Sequence, residues 1–329
     1  MGGHLGEGDW IILEVIMETM QAVRFHSYGG SEVLVLEEMP RPQAGTGEVL
    51  IGVRAAGVNP LDWKVRAGHV KAWMQHRLPL IPGWDVSGVV EAVGPGVTDF
   101  KTGDAVYGML DFLRNGAYAE YVAAGTGNLA PKPNSIDHTQ AGAVPLASLT
   151  AWQSLFEVAG LKSGQTVLIH AAAGGVGHFA VQFAKRKGAR VIGTASADNK
   201  SFLQGLGADV VIDYRTTRFE EAVQDVDVVL DTIGGDTQQR SWQVLKKGGI
   251  LVATLGISSQ EAARQHGVRG EGVMVHPDAS QLGQIAALID AGNLRPAVNT
   301  ILPLAEAARA HELSQTGHAR GKIVLQVGG

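Results

Sequence analysis

The sequence predicts an α/β chain of two domains, a doubly wound parallel sheet joined to a partly closed β-barrel. Three observations carry this expectation. An apolar run flows into a glycine turn and then an amphipathic segment at residues 166–187. Strand-like and helix-compatible segments alternate after residue 135. Short strand-like runs with frequent glycine and proline turns fill the chain before it.

The composition bounds the class. At 329 residues the chain can bury two cores, and 45% hydrophobic residues with 44 glycines fit an α/β enzyme better than a disordered or fibrous protein. A net charge of -5 with dispersed Lys and Arg argues against a nucleic-acid surface, which needs a basic patch. The absence of cysteine excludes disulfides, a cysteine nucleophile and any thiolate zinc site. The 11 histidines show no ligand spacing, so no metal is expected.

Residues 1–16 read as an N-terminal extension ahead of a start at Met17 or Met20. The segment Trp10-Ile11-Ile12-Leu13-Glu14-Val15-Ile16-Met17 is too short to span a membrane, is broken by Glu14 and lacks a signal peptide's positive start. No membrane association and cytoplasmic residence are the expectations.

From Gln21 the runs 22–25, 33–37, 48–56, 86–93, 104–107 and 119–122 are strand-like and punctuated by Gly29-Gly30, Pro40, Pro42 and Gly45. Short strands of this kind suggest a partly closed barrel. A helical stretch begins at residue 136, and residues 149–156 continue it with apolar residues at helical spacing. Strand runs follow at 190–194, 209–213, 226–231 and 249–254, separated by helix-compatible segments, which implies a parallel sheet covered on both faces. Residues 282–291 form a helix ended by Gly292, and residues 321–327 form a terminal strand that returns to the barrel. The expected domains are 17–131 with 292–329, and 132–291 inserted between them, with a substrate cleft where they meet.

The chemistry centres on Thr166-Val167-Leu168-Ile169-His170 and the turn Ala171-Ala172-Ala173-Gly174-Gly175-Val176-Gly177. Strand, glycine turn, helix is the order a dinucleotide site requires. Gly174 and Gly175 leave no Cβ between backbone and pyrophosphate, so the helix N-terminus can meet the phosphates, and Gly177 allows close packing on the strand. Ala172 stands where the first glycine of the fingerprint would be and must keep negative φ. The following strand ends in Thr194-Ala195-Ser196-Ala197-Asp198-Asn199-Lys200 with no acidic residue at its tip. Ala195 and Ser196 leave room for a ribose 2′-phosphate and Lys200 can balance its charge, while Asp198 is the dissenting residue.

A set of motifs then lines up along the chain: Gly57-Val58-Asn59-Pro60-Leu61-Asp62, Pro82-Gly83-Trp84-Asp85-Val86-Ser87-Gly88, Gly103-Asp104-Ala105-Val106-Tyr107-Gly108, Gly116-Ala117-Tyr118-Ala119-Glu120-Tyr121, the glycine turn, Asp231-Thr232-Ile233-Gly234-Gly235 and Gly321-Lys322-Ile323-Val324. The pattern resembles the medium-chain dehydrogenase/reductase superfamily, and within it the zinc-free quinone oxidoreductase branch. The resemblance implies a Rossmann domain and a GroES-like barrel domain. Zinc members of the family carry a cysteine near the position of Asn59 and a histidine where Trp84 stands; neither is present. Without a Lewis acid, hydride delivery to an electron-poor C=C or quinone is easier than alcohol oxidation.

The resemblance implies further roles. Ser196, Lys200 and Tyr214 match the family's 2′-phosphate residues, which makes NADPH the expected cofactor. Thr150, Leu255 and Ile257 would border the nicotinamide half. Asn59 lies where the family places a polar residue at the cleft and would donate to a substrate or cofactor oxygen, although Asn-Pro is equally a turn signal. Lys64 stands where some relatives have a cleft tyrosine and would steady a developing enolate. Tyr118 is a further catalytic candidate, as is Tyr107, with core or wall roles as the alternative; Asp62 reads as a local cap or ion-pair partner. Trp63, Trp73 and Trp84 are candidates for an apolar substrate wall, and the loop 69–76 for a cover over the cleft. His170 and His178 read as packing residues.

The expected activity is zinc-independent, NADPH-dependent hydride transfer to a quinone or α,β-unsaturated carbonyl. An enoyl-thioester reductase and a non-catalytic NADPH-binding protein are the alternatives. The family also implies a homodimer joined through sheet edges, for which the run 249–257 is the candidate edge.

Overall fold

A computed structural model describes residues 18–328. The expected extension 1–16 lies outside the described residues.

An antiparallel ribbon opens the chain, β1 (Thr19–Arg24) against β2 (Val35–Pro40). The barrel sheet follows as β3 (Glu48–Val58), β4 (Asp85–Val93), β5 (Ala105–Met109), β6 (Tyr121–Gly125) and β7 (Leu129–Pro131). β3 is its centre, paired antiparallel with both β4 and β6. The anticipated strand at 33–37 begins later, because Ser31–Val33 forms a 3₁₀ turn first.

The second sheet contains β8 (Thr166–Ile169), β9 (Arg190–Ala195), β10 (Val210–Asp213), β11 (Val226–Asp231), β12 (Leu245–Ala253) and β13 (Arg269–Gly272). It is wholly parallel in the order β10-β9-β8-β11-β12-β13. This is the doubly wound order, with its topological switch between β8 and β11, where such sheets bind ligands. Strand residues alternate between two covered faces. Val167 and Ile169 join the core beneath the helices Pro145–Trp152, Gly175–Arg186 and Ala279–Asp290, while Leu168 faces the opposite core with Ile192 and Trp242. Burial on both sides explains the unbroken apolar runs.

The chain closes with β14 (Val298–Pro303), the helix Ala307–Gln315 and β15 (Lys322–Gln326). β15 pairs antiparallel with β3, so the last strand is part of the barrel sheet. Helix continuation at 149–156 is only partly regular, since the α-helix passes into a π turn over Gln153–Val158.

One expectation is corrected. The run 249–257 is not a sheet edge: β12 lies between β11 and β13. The outer strand Arg269–Gly272 is short, polar and glycine-bearing, which hid it from an apolar-alternation reading.

Candidate active site

The glycine turn connects β8 to the helix Gly175–Arg186, whose first-turn amides have no intrahelical acceptor and face the cleft at the switch point. The left-handed residue is Ala171, with φ 48°, one position before Ala172. Gly177 is a packing glycine: a Cβ there would lie 2.3 Å from the Ala171 carbonyl oxygen and 2.7 Å from Ala172 Cα. Gly175 differs. Its Cβ would meet only Lys322 Cδ at 3.2 Å and the Gly321 carbonyl at 3.6 Å, so little of the protein itself fills the space above it. That is the arrangement expected where a pyrophosphate lies on the backbone.

His178 secures the turn. Its Nε2 accepts from the Ala297 amide at 3.2 Å, which leaves Nδ1–H to donate to the Gly174 carbonyl at 3.0 Å. Burial depresses its pKa to about 4, so it is a neutral structural histidine. His170 is likewise buried and depressed to about 4 by burial. Its Nε2 contacts Ser241 Oγ at 2.9 Å and its Nδ1 contacts Thr194 Oγ1 at 3.1 Å. Both pack, as the sequence suggests.

One cleft runs between the two sheets. Its walls include Asn59, Pro60 and Lys64 from the barrel side, Gly174, Gly175, Val176 and Gly177 from the turn, Thr232, Ile233 and Leu255 beyond β11 and β12, and Ser314 and Lys322 from the C-terminal segment. Asp231 builds the Thr232 wall: its Oδ1 accepts from the amides of Ile233 and Gly234, each at 2.9 Å, and its Oδ2 from Gln238 at 3.0 Å.

At the ribose end, Lys200 borders a second pocket with Ala197, Val211, Ile212, Asp213 and Thr217. Ser196 is nearly buried and accepts from Asn199 Nδ2 at 3.0 Å, while Tyr214 is exposed at the tip of β10. Arg320 reaches this loop from the C-terminal segment, donating to Asn199 Oδ1 at 2.7 Å and to the Asp198 carbonyl at 3.3 Å. Asp213 caps its own turn, accepting from the Arg215 amide at 3.0 Å.

Behind Asn59 lies a buried polar network. The Asn59 amide donates to Asp62 Oδ2 at 2.8 Å, and Tyr118 OH donates to the same oxygen at 2.9 Å. Asn59 Nδ2 donates to Asp85 Oδ2 at 2.8 Å, and Lys322 Nζ donates to that oxygen at 3.1 Å and to Asn59 Oδ1. Asp85 Oδ1 takes the Leu146 amide at 2.6 Å. Burial pushes the Asp62 carboxyl up to about 7, against the pull of the Asn59 and Tyr118 donors. Lys64, half-buried on the cleft wall, is held below the ordinary lysine range by desolvation.

The structure therefore gathers Asn59, Lys64, the three turn glycines, Val176 and Leu255 in one cleft; at the ribose end Lys200 borders the second pocket, and the Tyr214 amide bonds the Ala195 carbonyl, next to Ser196, at 3.2 Å. Other candidates lie elsewhere. Tyr118 is fully buried, its hydroxyl on Asp62 and its ring on His311, away from the cleft wall. Thr150 is buried in its helix and donates to the Leu146 carbonyl at 2.7 Å. Ile257 packs at Gly270 and Trp242 rather than on the cleft. Tyr107 bonds the Leu282 carbonyl at 2.6 Å. None of the three tryptophans lines the cleft: Trp84 is core, bonded to the Arg114 carbonyl at 3.2 Å, Trp63 is half-buried against His69, and Trp73 is exposed. Lys322 and Asp85 were missed as site residues; the available signal was a charged side chain opening or closing an apolar strand run.

Among the described residues no helix is long and apolar enough to cross a membrane. Fold and cleft together define a two-domain oxidoreductase with a nicotinamide cofactor and a small-molecule substrate. Comparison with known proteins agrees. The alcohol dehydrogenase GroES-like domain family matches residues 45–134, and the zinc-binding dehydrogenase family matches residues 206–325. A chloroplast envelope quinone oxidoreductase homolog of Arabidopsis thaliana is 32% identical, over 93% of this chain and 98% of its own length. The NADPH-dependent alkenal/one oxidoreductase of the same plant is 36% identical, over 94% and 80%. The solved quinone oxidoreductase from Coxiella burnetii superposes with a TM-score of 0.89 at 38% identity, covering 94% of this chain and all of that one. The chain belongs to the medium-chain dehydrogenase/reductase family, in its quinone oxidoreductase-like branch.

Proposed function

We propose that this protein is a zinc-independent oxidoreductase that uses NADPH to reduce quinones or α,β-unsaturated carbonyls. The observation that carries the reading is the loop after β9, where Ser196 and Lys200 stand in place of a ribose-binding acid and Arg320 and Arg215 add positive charge. Asp198 does not oppose it strongly, because its backbone is engaged by Arg320 and its charge acts on Arg215. The names of the relatives support the same cofactor and substrate class.

Bound along the cleft, reduced nicotinamide would supply the hydride. The residues of the chain supply the rest. The turn amides would hold the phosphates, Thr232 and Leu255 would border the nicotinamide half, and Asn59 and Lys64 would offer N–H donors to the oxygen that gains charge on the substrate. Solvent then supplies the proton at the adjacent carbon. Zinc independence is supported by the cysteine-free sequence and by the Asp85 carboxylate, which already accepts from Lys322, Asn59 and the Leu146 amide.

The reading includes domain limits of 17–131 with 292–329 and 132–291, supported by the β15–β3 pairing. It also includes a cytoplasmic homodimer, joined through the outer edge of β13, which among the described residues pairs only with β12. Fluorescence titration tests the cofactor assignment. In Ser196→Ala/Lys200→Ala the Kd for NADPH should rise about tenfold or more, as expected for loss of charged phosphate contacts. The Kd for NADH should stay put, and an equal loss for both cofactors contradicts the assignment.

A further inference from the structure

Asn59, Asp85 and Lys322 come from three distant segments and meet at the floor of the cleft. Lys322 is 3% exposed and Asp85 fully buried, so their ion pair is shielded from solvent and its geometry is fixed. The lysine stem lies on the open side of Gly175, its Cδ 3.2 Å from where a Cβ would be.

The three side chains leave Asn59 one orientation. Its Oδ1 receives the Lys322 ammonium and one Nδ2–H goes to Asp85 Oδ2. Turning the amide over would set its NH₂ against the ammonium and its oxygen against the carboxylate, replacing two attractions with two repulsions. The second Nδ2–H has no acceptor within the described residues, on a side chain that forms part of the cleft wall.

We infer that Lys322 and Asp85 are positioning residues which lock the Asn59 amide so that its free N–H meets the substrate carbonyl oxygen during reduction. The inference rests on the proposed NADPH-dependent reduction. As hydride from NADPH adds to the β-carbon of an enone, the C=C electron pair moves through the α-carbon and the carbonyl oxygen gains the charge of an enolate. The enolate then takes a proton from solvent at the α-carbon. A donor fixed before that charge develops stabilises the transition state without reorganisation.

The test compares the wild type with Lys322→Met/Asp85→Asn, which removes both charges together and so avoids stranding one of them in the interior. Readouts are kcat, KM, NADPH Kd and Tm, with enones of graded electrophilicity as substrates. Wild-type turnover of the enones with NADPH is established first; its absence refutes the activity itself and is thereby distinguished from failure of the lock. The inference expects kcat to fall about 10- to 100-fold, most for the least activated enones, with NADPH Kd within about twofold and Tm nearly unchanged. A wild-type kcat overturns it. So does a fall in kcat that NADPH Kd matches, which would make Lys322 a phosphate anchor. Should the double variant fail to fold, Asn59→Ala decides: it keeps the Lys322–Asp85 pair, and the same kcat loss with the same dependence on electrophilicity is expected, whereas an unaltered kcat overturns the lock.

Discussion

Asp62→Asn provides a prediction whose size follows from the structure. Asp62 is fully buried and its Oδ2 accepts from both the Asn59 amide and Tyr118 OH, while Oδ1 has no partner. Asparagine can present its own oxygen to the same two donors. Burial raises the carboxyl from its ordinary 3.8 to about 7. Between these values the folded state holds a proton that the unfolded chain has released, so stability falls as pH rises through this window and levels off above about 7. At about 1.4 kcal/mol per pH unit, the wild type should lose about 2 kcal/mol relative to Asp62→Asn between pH 5.5 and 8.5. Urea unfolding of both proteins at the two pH values measures the difference. Hydrogen exchange at β3 and β4 amides reads the barrel separately from the nucleotide-binding sheet. A constant difference between the variants across this range would refute the claim that Asp62 is protonated in the fold at low pH and ionised in it at high pH.

The two turn glycines should separate. Gly177→Ala forces a Cβ into the Ala171 and Ala172 backbone and should destabilise the protein by about 2–4 kcal/mol, visible as a lower Tm. Gly175→Ala should lower Tm less than Gly177→Ala does, because its new Cβ meets only Lys322 Cδ at 3.2 Å and the Gly321 carbonyl at 3.6 Å, and should weaken cofactor binding in titration. Lys64→Met should lower kcat for enones by about tenfold. The wild-type pH profile should show an alkaline decline below the ordinary lysine range, since burial makes the ammonium easier to deprotonate; the variant should lack that limb.

Local pattern made much of the fold legible. The parallel sheet announced itself through apolar runs such as Val167-Leu168-Ile169, buried on both faces, and the terminal strand 322–326 through its apolar texture. β13 was hidden because Arg269-Gly270-Glu271-Gly272 carries no alternation. Within the site, the glycine turn is local and therefore readable. The Asn59–Asp85–Lys322 cluster joins residues 237 and 263 positions apart, so no spacing rule reveals it. Lys322 at the head of an apolar strand marks only that a buried partner must exist. Ala172 keeps the negative φ expected of it, bonding its amide to the Thr194 carbonyl at 3.0 Å, and the left-handed residue of the turn is its neighbour Ala171.

The most direct test of the proposed function is steady-state cofactor oxidation by chelator-treated protein against a panel of quinones, enones and enoyl thioesters, with NADPH and NADH run in parallel. The account predicts turnover of quinones or enones with kcat/KM at least about tenfold higher for NADPH, unchanged by chelation or by added zinc. Preference for NADH, dependence on zinc, or no turnover across the panel would contradict it.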